Sequence, residues 1–297
     1  IMVVSLSLML IFSCNQSTTK GPTKKNVLFI IVDDLRPELG CYGVTRIQTP
    51  NMDQLAAEGQ LFERAFCQNP VCGASRASMF TGAYPTKKRF RNYYTWVDQD
   101  MPESTTLFKH FRNNGYFTAS FGKVYHHSDD QINSWSQRPY RRIAIGSYNW
   151  RDYVLPENIK NATSRTGRRY GVGPAFEKAD VLDTAYYDGK MAKAVIKELQ
   201  KSKTRDKPFC IAAGFMKPHL PFNAPAKYWD LYNTDNFNLP PTYEPNESIP
   251  GEALHNWGEL RAYTNIPAEG KLNDDLAKQL IHGYYACVSY IDAQVGL

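Results

Sequence analysis

The sequence predicts an α/β fold with a central, mostly parallel sheet flanked by helices. Residues 26–32 (Asn-Val-Leu-Phe-Ile-Ile-Val) form a continuous apolar run rich in β-branched side chains. That is the pattern of a strand buried on both faces of a parallel sheet. Strand-like runs at 116–122 and 209–215 also end just before polar clusters. Open α/β sheets place their ligands beyond the carboxyl ends of their strands. The clusters are Asp33-Asp34, Lys123 with His126, and Lys217 with His219; a fourth lies in the turn carrying Cys72.

The 297 residues suit one large α/β domain or two smaller ones, and an apolar content of 42% with 22% charged residues excludes a disordered chain. A net charge of +6 suits an anionic partner without choosing its kind. No basic tract is interleaved with stacking aromatics, so nucleic acid is discounted. Residues 2–14 form an apolar run too short to span a bilayer, ending in Ser13-Cys14 ahead of a polar linker to Lys25. This resembles a bacterial lipoprotein signal with Cys14 as the lipidated residue, although Ile1 opens the chain without a basic segment and Phe12 is bulky for a cleavage box. A plain secretory signal gives the same compartment. Residues 1–25 are therefore assigned to signal peptide and linker, and the protein is expected to be exported to the periplasm or outer surface of a bacterium. Six cysteines in an exported chain invite disulfides, but their scattered spacing specifies neither a bridge nor a metal finger.

In chain order, the strand at 26–32 stops at Asp33-Asp34. Adjacent carboxylates repel unless a cation lies between them, so the pair suits a hard divalent metal; a solvated turn is the other possibility. Residues 49–59 predict a short structural helix, with Thr49 as N-cap, Pro50 at the first helical position, Gly59 as left-handed cap, and a buried stripe of Met52, Leu55 and Ala56. Cys72-Gly73-Ala74-Ser75-Arg76 opens the next helix. A cysteine at a helix N-terminus with a guanidinium at i+4 is expected to have a lowered pKa; a lone Cys-x-x-x-Arg is otherwise a small cysteine beside a surface arginine. Residues 104–114 predict a helix with Leu107, Phe108 and Phe111 on one face, stopped by Gly115. The strand at 116–122 leads to Lys123-Val124-Tyr125-His126-His127.

Residues 128–179 show little periodicity and include Arg138, Arg141, Arg142, Arg165, Arg168 and Arg169, so a substrate-facing excursion is expected there. Residues 180–203 return to helix with Ala192, Val195, Ile196 and Leu199 as its stripe. The strand at 209–215 ends at Met216-Lys217-Pro218-His219-Leu220-Pro221, where two prolines fix the backbone around His219. A Pro/Asn-rich loop spans 233–273, and 274–295 reads as helix with Leu276, Leu280, Tyr284, Cys287 and Ile291 along one side. The sequence stops at Gly296-Leu297 with no cap and no basic last turn, so a C-terminally truncated fragment is expected.

Taken together, residues 26–35, Cys41-Tyr42-Gly43, residues 49–53, Cys72 to Arg76 with Thr81-Gly82, residues 122–126, residues 217–222 and residues 284–296 resemble the type I, formylglycine-dependent sulfatases of the alkaline phosphatase superfamily. Within that family the iduronate-2-sulfatase-like branch is the most similar. The resemblance covers essentially all of 26–297 and implies an alkaline-phosphatase-like sandwich, of which this stretch is the N-terminal catalytic part. It implies that Cys72 is oxidised to Cα-formylglycine (3-oxoalanine) by a formylglycine-generating or anaerobic sulfatase-maturing enzyme. One hydroxyl of the hydrate would attack the sulfur of a sulfate ester, and deprotonation of the other would release sulfate. The same resemblance implies calcium held by Asp33, Asp34 and residue 72, with Arg76 bracing that residue. Lys123 would clamp a sulfate oxygen, His126 would hydrogen-bond the hydrate, and His219, with Lys217, would bind sulfate and protonate the leaving oxygen.

Two departures stand out. Ala74 replaces the family's usual proline, and the further metal ligands and lysine expected after the 284–296 helix do not fall within the sequence. The 297-residue chain alone is thus expected to lack activity. The substrate implied is a sulfated polysaccharide carrying an iduronate-2-sulfate-like sugar. The rivals are a phosphatase or phosphonate hydrolase of the same superfamily and an inactive, lipid-anchored sulfated-glycan-binding protein.

Overall fold

The computed structural model describes residues 24–140, 151–164, 171–241, 243–244, 248–255 and 257–297. The proposed signal segment, Cys14 and arginines 141, 142, 165, 168 and 169 lie outside the described residues. Strands β1 (Val27–Val32), β2 (Phe117–Gly122) and β4 (Phe209–Phe215) form a parallel sheet in the order β1-β4-β2. Strands β3 (Phe176–Ala179) and β5 (Phe222–Pro225) form a separate parallel pair. The helices are α1 (Pro50–Glu58), α2 (Cys72–Thr81), α3 (Val97–Asp100), α4 (Leu107–Asn113), α5 (Pro156–Thr163), α6 (Tyr187–Ser202), α7 (Ala226–Trp229), α8 (Gly258–Arg261) and α9 (Asp274–Val295). The predicted α/β architecture, a parallel sheet with helices on its faces, is what forms.

Alternation along β4 assigns the two faces. Cys210 and Ala212 pack with Phe80 of α2, Phe108 of α4, Tyr125 and Trp135. Phe80 centres that layer, its ring 4.9 Å from both Phe108 and Tyr125. Ile211, Ala213 and Phe215 pack on the other face against Met191 and Val195 of α6 and Tyr290 and Ile291 of α9. The sheet is thus sandwiched, and its strand ends are held rigidly enough to aim side chains.

Several expectations need correction. β1 is not buried on both faces: Leu28 is 43% exposed and Ile30 36%, because α6 and α9 pack over their β4 partners Ile211 and Ala213 and, among the described residues, not over these two. Helix α1 buries no residue fully and Leu55 is exposed, so of its apolar stripe Met52 packs against the core while Leu55 faces solvent. Thr49 occupies the N-cap position and Pro50 the first helical one, as expected, but the Thr49 hydroxyl makes no cap bond: it accepts from the Gly40 N–H (2.9 Å) and donates to Asp53 (3.1 Å). Gly59 ends the helix with φ −120°, outside the left-handed region. The 128–179 stretch contains α5 and β3, and the 233–273 loop contains α8, elements too short to leave a periodic signature. By contrast, β4 and α9 match the sequence expectation residue for residue.

Candidate active site

The carboxyl ends of β1, β2 and β4 converge with the start of α2. Asp33 follows β1 directly, and its N–H donates to the Phe215 carbonyl at the end of β4 (3.2 Å). Its side chain is 3% exposed and lies between two cations: Arg76 Nη2 donates to Oδ1 (2.8 Å) and Lys123 Nζ to Oδ2. Burial works to raise this carboxyl, but Lys123 and Arg76, with a smaller push from His219, hold it well below the usual carboxylate range. Asp34 has φ +57°, a left-handed backbone, and its carboxylate faces His219 Nε2 at 3.7 Å. Desolvation and the neighbouring Asp33 charge raise its carboxyl, against the pull of His219.

Cys72 is the first residue of α2, with Val71 extended as its N-cap. Its Sγ lies 3.1 Å from His126 Nδ1. The expected lowering of the thiol pKa does not occur: burial raises it and overrides the attraction of Lys123 and Arg76. Arg76 is 4% exposed and directs its guanidinium to Asp33 and to the carbonyls of Lys123 and Val124 (the latter 2.8 Å). Arg76 braces the β2 end and Asp33 rather than activating sulfur. His126 is pushed down to about 4 by burial and by Lys123, so it is neutral at neutral pH and offers a lone pair or an N–H to residue 72.

The path of the loop after β2 depends on two glycines. Gly122 has φ +71°, and a Cβ there would meet the Gly214 carbonyl oxygen at 2.1 Å. At Gly214 a Cβ would meet the Lys123 carbonyl oxygen, also at 2.1 Å. Only this close backbone approach lets the Lys123 N–H donate to the Gly214 carbonyl (2.8 Å) while the side chain reaches Asp33.

After β4, the peptide bonds Lys217-Pro218 and Leu220-Pro221 are cis. His219 Nδ1 lies 2.7 Å from the Leu220 carbonyl, and Nε2 faces Asp34 (3.7 Å) and Glu259 (3.6 Å). Lys217 was expected to bind sulfate beside His219. Its side chain is instead buried, with Nζ donating to the carbonyls of Pro221 (2.6 Å) and His219 (3.3 Å), so in this arrangement it ties the loop. Asp33, Asp34, Cys72, Arg76, Lys123, His126 and His219 are thereby brought near enough to act on one another's charge.

A sulfatase family profile matches residues 25–297 of this chain. The chain belongs to the sulfatase family. It is 36% identical to the iduronate 2-sulfatases of Mus musculus (over 284 residues) and Homo sapiens (over 293 residues), matching 91% of its own length and 50% of theirs in each case. It is 30% identical to a sulfatase of Formosa agariphila over 296 residues, 93% of this chain and 55% of that one. The chain therefore spans about half the length of the curated relatives it matches. Among solved structures, it is similar to the phosphonate monoester hydrolase of Agrobacterium radiobacter (TM-score 0.61, 21% identity, 92% of this chain and 58% of that one). It is also similar to a protein solved with its substrate D-glucosamine-2-N,6-O-disulfate (TM-score 0.63, 20% identity, 92% and 60%). These structural likenesses establish the shared fold.

For the sulfatase chain, the calcium expectation can be tested against its donors. Asp33 and Asp34 offer hard carboxylate oxygens at one strand end, the chemistry calcium prefers. Among the described residues, however, no group of three or more His, Cys, Asp or Glu side chains comes together as a metal site, and calcium takes about 6–8 oxygens. The pair thus fits part of such a site. Sequence reasoning missed two residues that shape it. Asp188, 2% exposed, accepts the N–H groups of Met216 (3.0 Å) and Lys217 (2.9 Å) and so anchors the His219 loop. Glu259 reaches His219 from α8, just after Trp257 at φ +56°. Neither has a sequence signal, since only the fold brings them to the loop.

Proposed function

We propose that the protein hydrolyses sulfate esters on a sulfated carbohydrate, with a 2-O-sulfated uronic acid of the iduronate type as the preferred sugar. One observation carries this: a thiol whose proton affinity is raised, not lowered, sits at a helix start within 3.1 Å of a neutral histidine, beside two cations and a buried carboxylate. A thiol in that state is a poor nucleophile but a well-placed precursor. Oxidised to Cα-formylglycine and hydrated, residue 72 supplies the hydroxyl that attacks sulfur. Asp33 and Asp34 would hold the calcium, whose charge favours the sulfate oxygens there.

The remaining roles belong to this chain's own side chains. Lys123, partly reachable at its ammonium, presents positive charge to a sulfate oxygen; Arg76 keeps Asp33 ionised and the loop after β2 in place. Neutral His126 accepts a hydrogen bond from residue 72 and takes its proton as sulfate departs. His219, with Nε2 facing Asp34 and Glu259, delivers a proton to the leaving alcohol oxygen. Export, with lipid on Cys14, belongs to the same proposal: Cys14→Ser would release the protein from the membrane fraction. The deciding experiment assays the matured, full-length gene product on a 2-O-sulfated uronate disaccharide, with phosphate and phosphonate monoesters in parallel. Release of inorganic sulfate supports the proposal. Turnover of the phosphorus esters alone would replace it with the hydrolase rival, and binding of the glycan without turnover would favour the non-catalytic one.

A further inference from the structure

Beside the nucleophile, the turn at Asn92-Tyr93-Tyr94-Thr95-Trp96 holds two aromatic side chains in solvent. Tyr93 is 47% exposed and Tyr94 65%, their ring centroids 4.1 Å apart at 39°. Large exposed aromatics are costly to leave in water unless something covers them. This turn is nonetheless built to keep them out. The Asn92 side chain accepts the Tyr94 N–H (2.9 Å), and the Thr95 N–H donates to the Asn92 carbonyl (3.3 Å). Thr95 itself is buried, and Trp96 stacks on His127 at 4.1 Å with rings 11° from parallel.

The turn is also fixed against the catalytic helix. A Cβ on Gly73, the residue after Cys72, would meet the Tyr93 carbonyl oxygen at 2.8 Å and Cα at 2.9 Å. The Tyr93 ring lies 6.4 Å from the ring of His126. The two tyrosines therefore have a set position relative to residue 72. Their hydroxyls are linked, Tyr93 donating to Tyr94 at 2.7 Å, and the Tyr94 hydroxyl can itself rotate to donate to a ligand oxygen.

We infer that Tyr93 and Tyr94 form a carbohydrate-stacking subsite, which receives the C–H face of the pyranose next to the sulfated sugar. This rests on the sulfate-ester reading of the site. The chemistry favours a sugar because aromatic faces and a hydroxyl donor adjoin the His126 side of the site, where Lys123 supplies positive charge. A sulfated glycan offers that combination: an anionic ester, an adjoining ring with an apolar face, and hydroxyl oxygens at its rim.

The test compares two substrates of the matured full-length protein, a sulfated oligosaccharide and the monosaccharide carrying the same sulfate. Tyr94→Ala should raise KM for the oligosaccharide about tenfold, a modest change for removing one aromatic contact. It should leave kcat and the monosaccharide KM unchanged. Tyr93→Phe and Tyr94→Phe, which keep the rings and the fold, should each retain most of the oligosaccharide preference. Equal effects on both substrates, or no effect on either, would overturn the subsite. If the wild type hydrolyses neither ester, the sulfatase reading fails first. The subsite is then judged by calorimetric binding of the oligosaccharide to wild type and Tyr94→Ala, and equal affinity overturns it.

Discussion

Replacing Arg76 by methionine removes a guanidinium that is 4% exposed while keeping most of its buried aliphatic volume. Three contacts disappear: the 2.8 Å bond to Asp33 and two bonds to the carbonyls of Lys123 and Val124. Breaking one partner of a buried ion pair costs about 3–5 kcal/mol, because the other charge stays desolvated. Here Lys123 remains on the second Asp33 oxygen, which pulls the ionic part toward the lower end. Two carbonyls losing their donor add about 1 kcal/mol each. Arg76→Met is therefore expected to lower the unfolding free energy by about 3–5 kcal/mol in urea titration. Combining it with Asp33→Asn should cost about 2 kcal/mol less than the sum of the two single changes, since each removes the other's partner. A loss below about 1 kcal/mol, or full additivity, would refute the account of Arg76 as the brace of Asp33.

Two further outcomes follow from the geometry. Burial pushes the carboxyls of Asp188 and Asp130 up to about 6 from an ordinary 3.8. The folded chain then holds protons that the unfolded chain has released, so each carboxyl adds roughly 1.3 kcal/mol of stability as pH falls from about 7 to 5, opposed over the same window by His126, whose lowered pKa makes the folded chain resist protonation. Asp188→Asn should remove its share, so the stability difference between wild type and variant in urea unfolding should grow by about that amount from pH 7 to 5, and a pH-independent difference would contradict the assignment. Gly214→Ala places a methyl group 2.1 Å from the Lys123 carbonyl oxygen, a backbone atom that has nowhere to move. It should destabilise the chain by about 3 kcal/mol, measured by thermal unfolding; a wild-type midpoint would show that the two strand ends are not so closely apposed.

The sheet was legible because apolar runs do not need partners to be recognised: β4 and α9 were located to the residue, and the polar clusters beyond β1, β2 and β4 marked the site. What sequence could not give was direction. Arg76 sits at i+4 from Cys72, and spacing alone suggests a charge acting on sulfur, whereas the fold aims it at Asp33 and two carbonyls. Lys217 next to His219 suggested two groups with one task, but the lysine folds back onto the carbonyls of its own loop. Burial of β1 failed as an expectation for a related reason. Apolarity records what a strand is suited to meet, and among the described residues Leu28 and Ile30 meet solvent. Asp188 lies 29 residues before Lys217 and had no local pattern to betray it.

The central claim is that Cys72 is a precursor rather than a nucleophile. Its most direct measurement is the mass of the peptide containing residue 72, taken from protein produced with a sulfatase-maturing enzyme. The account predicts conversion of the thiol to an aldehyde, trapped as a hydrazone by a carbonyl reagent, and loss of that signal in Cys72→Ala. Unmodified cysteine, from a host that converts a control sulfatase in the same cells, would contradict it.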